Sequence, residues 1–257
     1  MDFTPVIQTA IKTLFWVLPF IIVVSILRTP KVKGFVGEAV VRFLAKIKLP
    51  KDVYKPIHNV TLRTDDGTTQ IDHIFVSKFG VFVVETKNMK GWIFGNEKQA
   101  QWTQQIYKVK NKFQNPLRQN YKHVKTLEAV LEIPPEAIKS VIAFTGECTI
   151  KSPIPSNVTR GIGYVSYIKS FTSPILSETQ VRSITAQIES GRLEPSRRTD
   201  KEHVKNLKAR HKSESDKVCR TCGKGMILRT AKKGANSGKQ FWGCSGYPKC
   251  RSVQKIN

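Results

Sequence analysis

Residues 80–87 are Gly80-Val81-Phe82-Val83-Val84-Glu85-Thr86-Lys87, an apolar run that ends in an acid, a threonine and a base. Thirteen residues before Glu85, Asp72 opens a second apolar run, Ile74-Phe75-Val76. Two short apolar runs joined by Ser77-Lys78-Phe79-Gly80 predict a β-hairpin with Gly80 as the turn residue. Asp72 and Glu85 are therefore expected on adjacent strands.

The charged residues of this hairpin are predicted to form one cluster. Side chains alternate between the faces of a strand, so Glu85 and Lys87 point to the same side, and Asp72 joins them if the register is suitable. Two carboxylates on one face repel each other. A hard cation such as Mg²⁺ relieves that repulsion, and it takes phosphate oxygens and water as its other ligands. A nearby lysine can orient or deprotonate an attacking water, or neutralise charge in the transition state. The pattern favours a nuclease site; the alternative is an ordinary strand pair with charged ends.

Length, charge and cysteine content limit the classes of protein. A chain of 257 residues has room for one ordinary domain and a small appendage. The net charge of +24 predicts a polyanionic partner, either nucleic acid or anionic lipid. Residues 195–257 hold 17 Lys and Arg against 4 Asp and Glu, so the tail carries more than half of the excess. Four of the five cysteines lie in the last 39 residues at paired spacings, which favours a metal site in a reducing compartment over disulfides.

The first thirty residues predict a membrane anchor. From Phe3 to Leu27 the only charged residue is Lys12, which lies far enough from the centre to reach the interface. Arg28, Lys31 and Lys33 follow directly, so the positive-inside rule places the C-terminal side in the cytosol. A cleaved signal peptide and a core helix are the alternatives. A signal peptide would carry its positive charge before the apolar stretch.

Further elements are expected beyond the hairpin. Residues 39–44 have the spacing of an amphipathic helix, and residues 117–127 follow Asn115-Pro116 as a second helix with a proline at its start. Residues 140–145 and 162–168 are predicted as strands, and residues 178–188 as a closing helix.

The motifs of this region resemble the nuclease-related domain, NERD, of the PD-(D/E)xK superfamily over about residues 34–150. They are Gly37-Glu38, Gln70-Ile71-Asp72-His73, residues 80–87, Gly91, Trp102, and Asn115-Pro116 with Gln119. Ile71 stands where the superfamily name has proline, a departure that the family tolerates.

The resemblance implies an α/β fold with a restriction-endonuclease-like core, a mixed sheet flanked by helices. It places Glu38 on the first helix, Asp72, Glu85 and Lys87 on central strands, and Gln119 on a later helix. Asp72 and Glu85 would bind Mg²⁺ or Mn²⁺, with Glu38 as a possible further ligand, and Gln119 would position the lysine or the substrate. Glu38 could instead be a solvated acid stabilised by the helix dipole, and Gln119 a surface amide. His73 and His123 are expected to be structural or to contact phosphate.

The C-terminal cysteines predict a zinc ribbon. Cys219, Cys222, Cys244 and Cys250 can bind Zn²⁺ tetrahedrally, and so short a segment has no other means of ordering itself. Residues 217–252 resemble the C4 zinc finger at the C-terminus of bacterial type I topoisomerases, where it contacts single-stranded DNA. Aromatic and basic side chains of the segment provide stacking faces beside phosphate-binding charge, the pattern of single-strand binders. These are Arg229, Lys232, Lys233, Lys239, Trp242 and Tyr247. The alternative for the aromatic rings is the small core of the ribbon.

The expected organisation is an anchor over residues 1–33, a NERD domain over 34–191, a flexible basic linker over 192–216 and a zinc finger over 217–257. The favoured function is a single-pass protein of the bacterial inner membrane with cytosolic domains that binds DNA and hydrolyses phosphodiester bonds. The rival is a DNA-binding or DNA-tethering protein whose nuclease fold no longer turns over. A third possibility is a membrane-surface protein whose basic tail binds anionic lipid.

Overall fold

The protein was analysed as a computed structural model that describes residues 4–27, 29–64, 67–131, 133–194, 196, 199, 204, 218–231 and 240–255. These form two units, Met1–Thr64 with Thr69–Leu193 and Asp65–Thr68 with Glu194–Asn257. The expected linker, residues 192–216, and Lys232, Lys233 and Lys239 fall largely or wholly outside the described residues.

Two helices open the chain, α1 (Thr4–Leu27) and α2 (Pro30–Lys48). The Thr29 hydroxyl accepts a hydrogen bond from the Val32 N–H and so caps α2, which has proline in its first turn. Gly37, Val41 and Ala45 recur every four residues and bury one face of the helix. Among the helices that the structure describes, none taken singly combines the length and the hydropathy that a bilayer span requires. The segments Phe15–Leu27 and Pro30–Lys48, bent by 63°, meet the requirement only as a pair.

Nine strands and three further helices complete the larger unit. The strands are β1 (Lys55–Thr64), β2 (Gly67–Ser77), β3 (Gly80–Asn88), β4 (Gly91–Phe94), β5 (Gln101–Ile106), β6 (Val109–Gln114), β7 (Ile138–Thr145), β8 (Cys148–Ile150) and β9 (Val158–Arg160). The helices are α3 (Pro116–Val130), α4 (Gly163–Lys169) and α5 (Glu178–Gly191). A short 3₁₀ turn, Pro135–Ala137, leads into β7.

The main sheet has the order β1-β2-β3-β7-β9 and is mixed. β2 and β3 form the predicted antiparallel hairpin, in which Ser77 pairs with Gly80 and Lys78-Phe79 is the loop. Gly80 has a φ of 134°, and a Cβ atom there would lie 2.7 Å from the Ala137 carbonyl oxygen, so the position requires glycine. β7 lies parallel to β3 on its other side, and β9 lies parallel to β7.

Helices cover both faces of this sheet, and β3 shows why. Val81 and Val83 pack in a core with Leu127 of α3 and Ile184 of α5. Their neighbours Phe82 and Val84 pack on the opposite face with residues of α2 and α4. A strand buried on both faces reads as a continuous apolar run, as residues 81–84 do.

A second sheet, β6-β5-β4-β8, lies within the same unit. Its core includes Ile93 and the fully buried Trp102, whose ring stacks on Phe144 of β7 with centroids 6.1 Å apart. The sequence did not predict this sheet, because its strands are short and mostly polar. Trp92, in contrast, is exposed, with the Lys151 ammonium 5.0 Å from its ring centroid.

The strand predicted over residues 162–168 is wrong, because this segment forms helix α4. Tyr164, Val165 and Ile168 have the spacing of one helix face and are buried, and the Tyr164 hydroxyl donates a 2.7 Å hydrogen bond to the Val41 carbonyl. A short apolar run fits either a strand or a buried helix, and here the packing against α2 decides. The structure confirms the other four elements, as α2, α3, β7 and α5.

The smaller unit contains a three-stranded antiparallel sheet, β10 (Met226–Thr230), β11 (Gln240–Cys244) and β12 (Val253–Lys255). Its described core consists of Cys219, Met226 and Cys244, with Trp242 and Cys250 packed against it. The cysteines thus occupy the place that a hydrophobic core takes in a larger domain.

Candidate active site

The end of β3 directs two charged side chains toward helix α3. Glu85 and Lys87 follow Val81 and Val83 in the alternation, so they lie on the same face of the sheet as those core residues. Glu85 is 2% exposed, and its Oε1 atom accepts a 2.7 Å hydrogen bond from the Lys87 ammonium. The Lys87 ammonium also donates to Gln119 Oε1 at 2.8 Å. The structure therefore brings together three of the five predicted catalytic residues in one chain of hydrogen bonds.

Asp72 joins this group from the neighbouring strand. The hairpin pairing extends as far as His73 and Val84, so Asp72 and Glu85 are the next residue on each strand. Asp72 Oδ2 accepts a 2.8 Å hydrogen bond from the Thr86 N–H. Burial, and then the charge of Glu85, raise the pKa of Asp72 well above its ordinary value. The site therefore holds two carboxylates whose repulsion the protein only partly relieves.

Glu38 reaches the same region from α2. Its carboxylate lies 3.3 Å from the Arg42 guanidinium, one turn further along the helix. Burial raises the pKa of Glu38, the charge of Glu85 adds to this, and Arg42 opposes it. Glu38 also contributes to the raised pKa of Asp72, so the three carboxylates affect one another's ionisation.

His123 is a site residue that the sequence analysis left outside the catalytic set. Its Nε2 atom lies 3.2 Å from Glu85 Oε2, and its Nδ1 atom lies 2.8 Å from the Thr69 hydroxyl. Gln119 and His123 are four residues apart on α3, so both face β3. That spacing from Gln119 was the signal in the sequence that could have identified it.

Glu85 is the one of the three acids whose ionised form its surroundings stabilise. Burial acts to raise its pKa, but the Lys87 charge and the hydrogen bond with His123 outweigh burial and leave the pKa below the ordinary value. Glu85 is therefore ionised at neutral pH.

Asn120 fixes α3 against the sheet that carries these residues. It is fully buried, and its amide nitrogen lies within 3.2 Å of the Val83 carbonyl, the Ser140 hydroxyl and the Val141 carbonyl. One side chain thus ties the helix to both β3 and β7, and it does so next to Gln119. The position of Gln119 relative to Lys87 follows from this contact.

The donor set of the site is compatible with a hard divalent cation. Mg²⁺ typically takes one or two protein carboxylates and fills its other positions with water and phosphate oxygens. Asp72 and Glu85 supply two such carboxylates. Over the described ranges, the four cysteines are the one group of three or more His, Cys, Asp or Glu side chains placed closely enough to hold a metal ion.

Those cysteines converge from two turns of the smaller unit. Their four sulfur atoms lie within 4.8 Å of one another, with 3.7 Å between Cys219 and Cys250 and 3.3 Å between Cys222 and Cys244. Tetrahedral zinc with Zn–S bonds of about 2.3 Å requires sulfur atoms about 3.8 Å apart, so the cluster fits Zn²⁺. None of the four forms a disulfide bond. The predicted ligand set and the zinc ribbon agree with this geometry.

The aromatic residues of the ribbon differ in their surroundings. Trp242 is partly buried against the cysteine core, as expected for a core residue. Tyr247 is 58% exposed, and the Arg229 guanidinium lies 5.5 Å from its ring centroid. Tyr247 and Arg229 therefore present a flat ring and a charge together at the surface.

Comparison with known proteins agrees with both parts of the structure. Residues 33–145 match the family described as nuclease-related domain, and residues 216–257 match the topoisomerase DNA-binding C4 zinc finger. An uncharacterised protein of Bacillus anthracis is 42% identical over 184 residues, which cover 69% of this chain and 85% of the relative. No solved structure matches. The chain belongs to the nuclease-related domain (NERD) family and ends in a topoisomerase-type C4 zinc finger.

Proposed function

We propose that this protein is a membrane-anchored, metal-dependent nuclease that hydrolyses phosphodiester bonds in DNA held by its zinc finger. The observation that carries the proposal is Lys87, whose ammonium is held between Glu85 and Gln119 beside Asp72. A salt bridge that served folding alone would not need a third polar partner or a second carboxylate next to it. The arrangement of α2, α3, α4 and α5 around a mixed five-stranded sheet supports a restriction-endonuclease-like core.

The roles of the residues follow from their contacts. Asp72 and Glu85 would hold Mg²⁺ or Mn²⁺, with Glu38 as a possible further ligand. When bound, the cation polarises the phosphodiester and favours ionisation of water. Two hydrogen bonds fix the Lys87 ammonium, which has three donors and is partly exposed, so one donor is left for a phosphate oxygen or the attacking water. Gln119 positions Lys87, and His123 positions Glu85.

The direct test is cleavage by the purified full-length protein. Single-stranded, duplex and branched DNA, and the corresponding RNA, are incubated with Mg²⁺, with Mn²⁺ and without metal. Metal-dependent products support the nuclease, whereas intact substrates under every condition contradict it.

One observation favours the second candidate, a DNA-tethering protein without turnover. Both carboxylate oxygens of Glu85 already have a protein partner, Lys87 on Oε1 and His123 on Oε2. A metal would have to share these oxygens with the two residues. DNA binding without cleavage in the same assay would select this candidate.

The finger is proposed to prefer single-stranded DNA, because an exposed ring can stack only on unpaired bases. Tyr247→Ala should weaken single-strand binding by about 1–3 kcal/mol, whereas Tyr247→Phe, which keeps the ring, should bind nearly as the wild type does. Fluorescence anisotropy with a labelled oligonucleotide, repeated with its duplex, measures both effects. Equal affinity for the two forms of DNA, or an unchanged Tyr247→Ala variant, would leave the finger as a generic basic module. Trp242 is a poorer test residue, because its loss also disturbs the cysteine core.

The apolar stretch over residues 3–27 is proposed, from its sequence, as a single-pass anchor in the bacterial inner membrane with the C-terminal domains in the cytosol. The uncharged sequence from Thr13 to Leu27 and the three basic residues that follow support it.

A reporter placed after Asn257 tests that topology. Green fluorescent protein fused there should fluoresce, and alkaline phosphatase fused at the same site should stay inactive, because the positive-inside rule keeps Arg28, Lys31 and Lys33 in the cytosol. Membranes washed with high salt should retain the protein. An active phosphatase fusion would contradict the proposed orientation. Release of the protein by salt would contradict the membrane anchor.

A further inference from the structure

A cleft of about 280 Å³ opens on the face of the main sheet that α2 covers, between α2, the segment that follows it and the first two strands. This volume is just below the roughly 300–1,000 Å³ typical of small-molecule sites. The cleft therefore has room for one nucleotide-sized group. None of the residues assigned above to the metal site or the finger lines it.

The charges around the cleft favour an anion. Its wall includes Arg42, Lys46 and Lys51, and none of the described residues that form the wall carries a carboxylate. Lys46 and Lys51 are exposed, so they stand at the mouth, where they can meet a charged group.

Arg42 connects the cleft to the proposed metal site. One nitrogen of its guanidinium group lies 3.3 Å from the Glu38 carboxylate. Its Nε atom is buried and has no hydrogen-bond partner. A buried donor without an acceptor costs free energy, so this position favours a ligand that brings an acceptor oxygen.

The inner wall of the cleft is made of rings. Tyr54 and Phe75 are buried, and the partly buried His58 packs edge-on against Phe75 with centroids 5.9 Å apart. Burial, and then the charge of Arg42, lower the pKa of His58 to about 4, so its ring is neutral at pH 7. The wall is therefore aromatic and uncharged at neutral pH, which suits a planar heterocycle.

We propose that this cleft binds one nucleotide of the substrate strand, with Arg42 between that nucleotide and Glu38. The base lies against the ring wall, and the phosphate of that nucleotide contacts Arg42 and Lys46. The inference rests on the proposed nuclease function and names a specificity subsite for it. A lipid headgroup would satisfy the charges equally well, but it has no planar group for the ring wall.

The test uses the full-length protein in detergent and 8-azidoadenosine 5′-monophosphate as a photoaffinity probe, without divalent metal. The label should appear on the peptide that contains Tyr54 and His58. Deoxyadenosine 5′-monophosphate should compete, whereas deoxyadenosine and glycerol 3-phosphate should compete much less. The double variant Lys46→Glu/Lys51→Glu should lower the apparent affinity about tenfold or more. The control Lys48→Glu/Lys169→Glu makes the same change in net charge at exposed positions outside the cleft and should be labelled as the wild type is.

Two kinds of result would contradict nucleotide binding in the cleft. The first is a label on a different peptide, or an unchanged label in the Lys46→Glu/Lys51→Glu variant when that variant melts at the wild-type temperature. The other is equal competition by deoxyadenosine or by glycerol 3-phosphate, which would leave an apolar or a headgroup site. The assay needs no hydrolysis. Labelling as expected without cleavage would support the nucleotide site and contradict the nuclease function. Cleavage without this label would contradict only the nucleotide site.

Discussion

Asp72→Asn, Glu85→Gln and Lys87→Ala are each expected to lower metal-dependent cleavage by about 100-fold or more. Removing one group that stabilises transition-state charge commonly costs about 10²–10³ in rate, and these three residues act as a unit, so their effects should not add. Gln119→Ala should have a smaller effect, because Glu85 still holds Lys87 at 2.7 Å. Initial rates on the best substrate of the cleavage assay provide the measurement.

The control for these variants is Glu178→Gln, which removes an exposed carboxylate on α5, far along the chain from the cluster. It should cleave at the wild-type rate. All four variants should still bind single-stranded DNA, because the finger is unchanged. Variants of Asp72, Glu85 and Lys87 that cut as well as Glu178→Gln would exclude this cluster as the catalytic site.

Loss of zinc is expected to unfold the smaller unit. Structural Zn²⁺ contributes about 10–16 kcal/mol of apparent binding free energy in zinc-finger peptides, and here the described core is mostly the cysteines themselves. The full-length protein should contain about one zinc per chain, and Cys244→Ser should lose both the metal and single-strand binding. Metal analysis by mass spectrometry and anisotropy with a labelled oligonucleotide measure the two losses.

Cys148→Ala is the matched control, because Cys148 is a buried cysteine of the larger unit and is not one of the four ligands. That variant should keep its zinc and its DNA binding. A Cys244→Ser protein that retains one zinc per chain, or wild-type protein that binds DNA equally well after chelation, would disprove the structural role of the metal.

The sequence predicted the parts of the site that depend on local patterns. Alternation along β3 places Glu85 and Lys87 on one face, and the helix that begins at Pro116 places Gln119 opposite them. The contact of His123 with Glu85 and the burial of Asn120 depend on how α3 crosses β3 and β7, which no local pattern specifies. Helix α4 was mistaken for a strand for the same reason, since its short apolar run allowed both structures and the packing of Tyr164 against α2 decided between them.

Glu38 illustrates a different limit. Its place on α2 follows from the helix pattern, but its influence on Asp72 requires α2 to pack against the sheet close to the end of β3. There a Cβ atom on Gly37 would approach the Asn88 side chain to 2.7 Å. The close approach explains why glycine precedes the acid.

Asn115 joins the second sheet to helix α3, which carries Gln119. Its buried amide nitrogen lies within 3.2 Å of the carbonyls of Asn96, Glu97 and Gln99, while its Oδ1 atom accepts from the Leu117 N–H at the start of α3. The Gln119 N–H in turn donates to the Asn115 carbonyl. Tyr107, which is 93% exposed, lies at the turn of the β5–β6 hairpin, at the opposite end of these strands from Asn115. The β5–β6 hairpin can therefore gain or lose residues at its tip during evolution while the lysine and its glutamine partner keep their spacing.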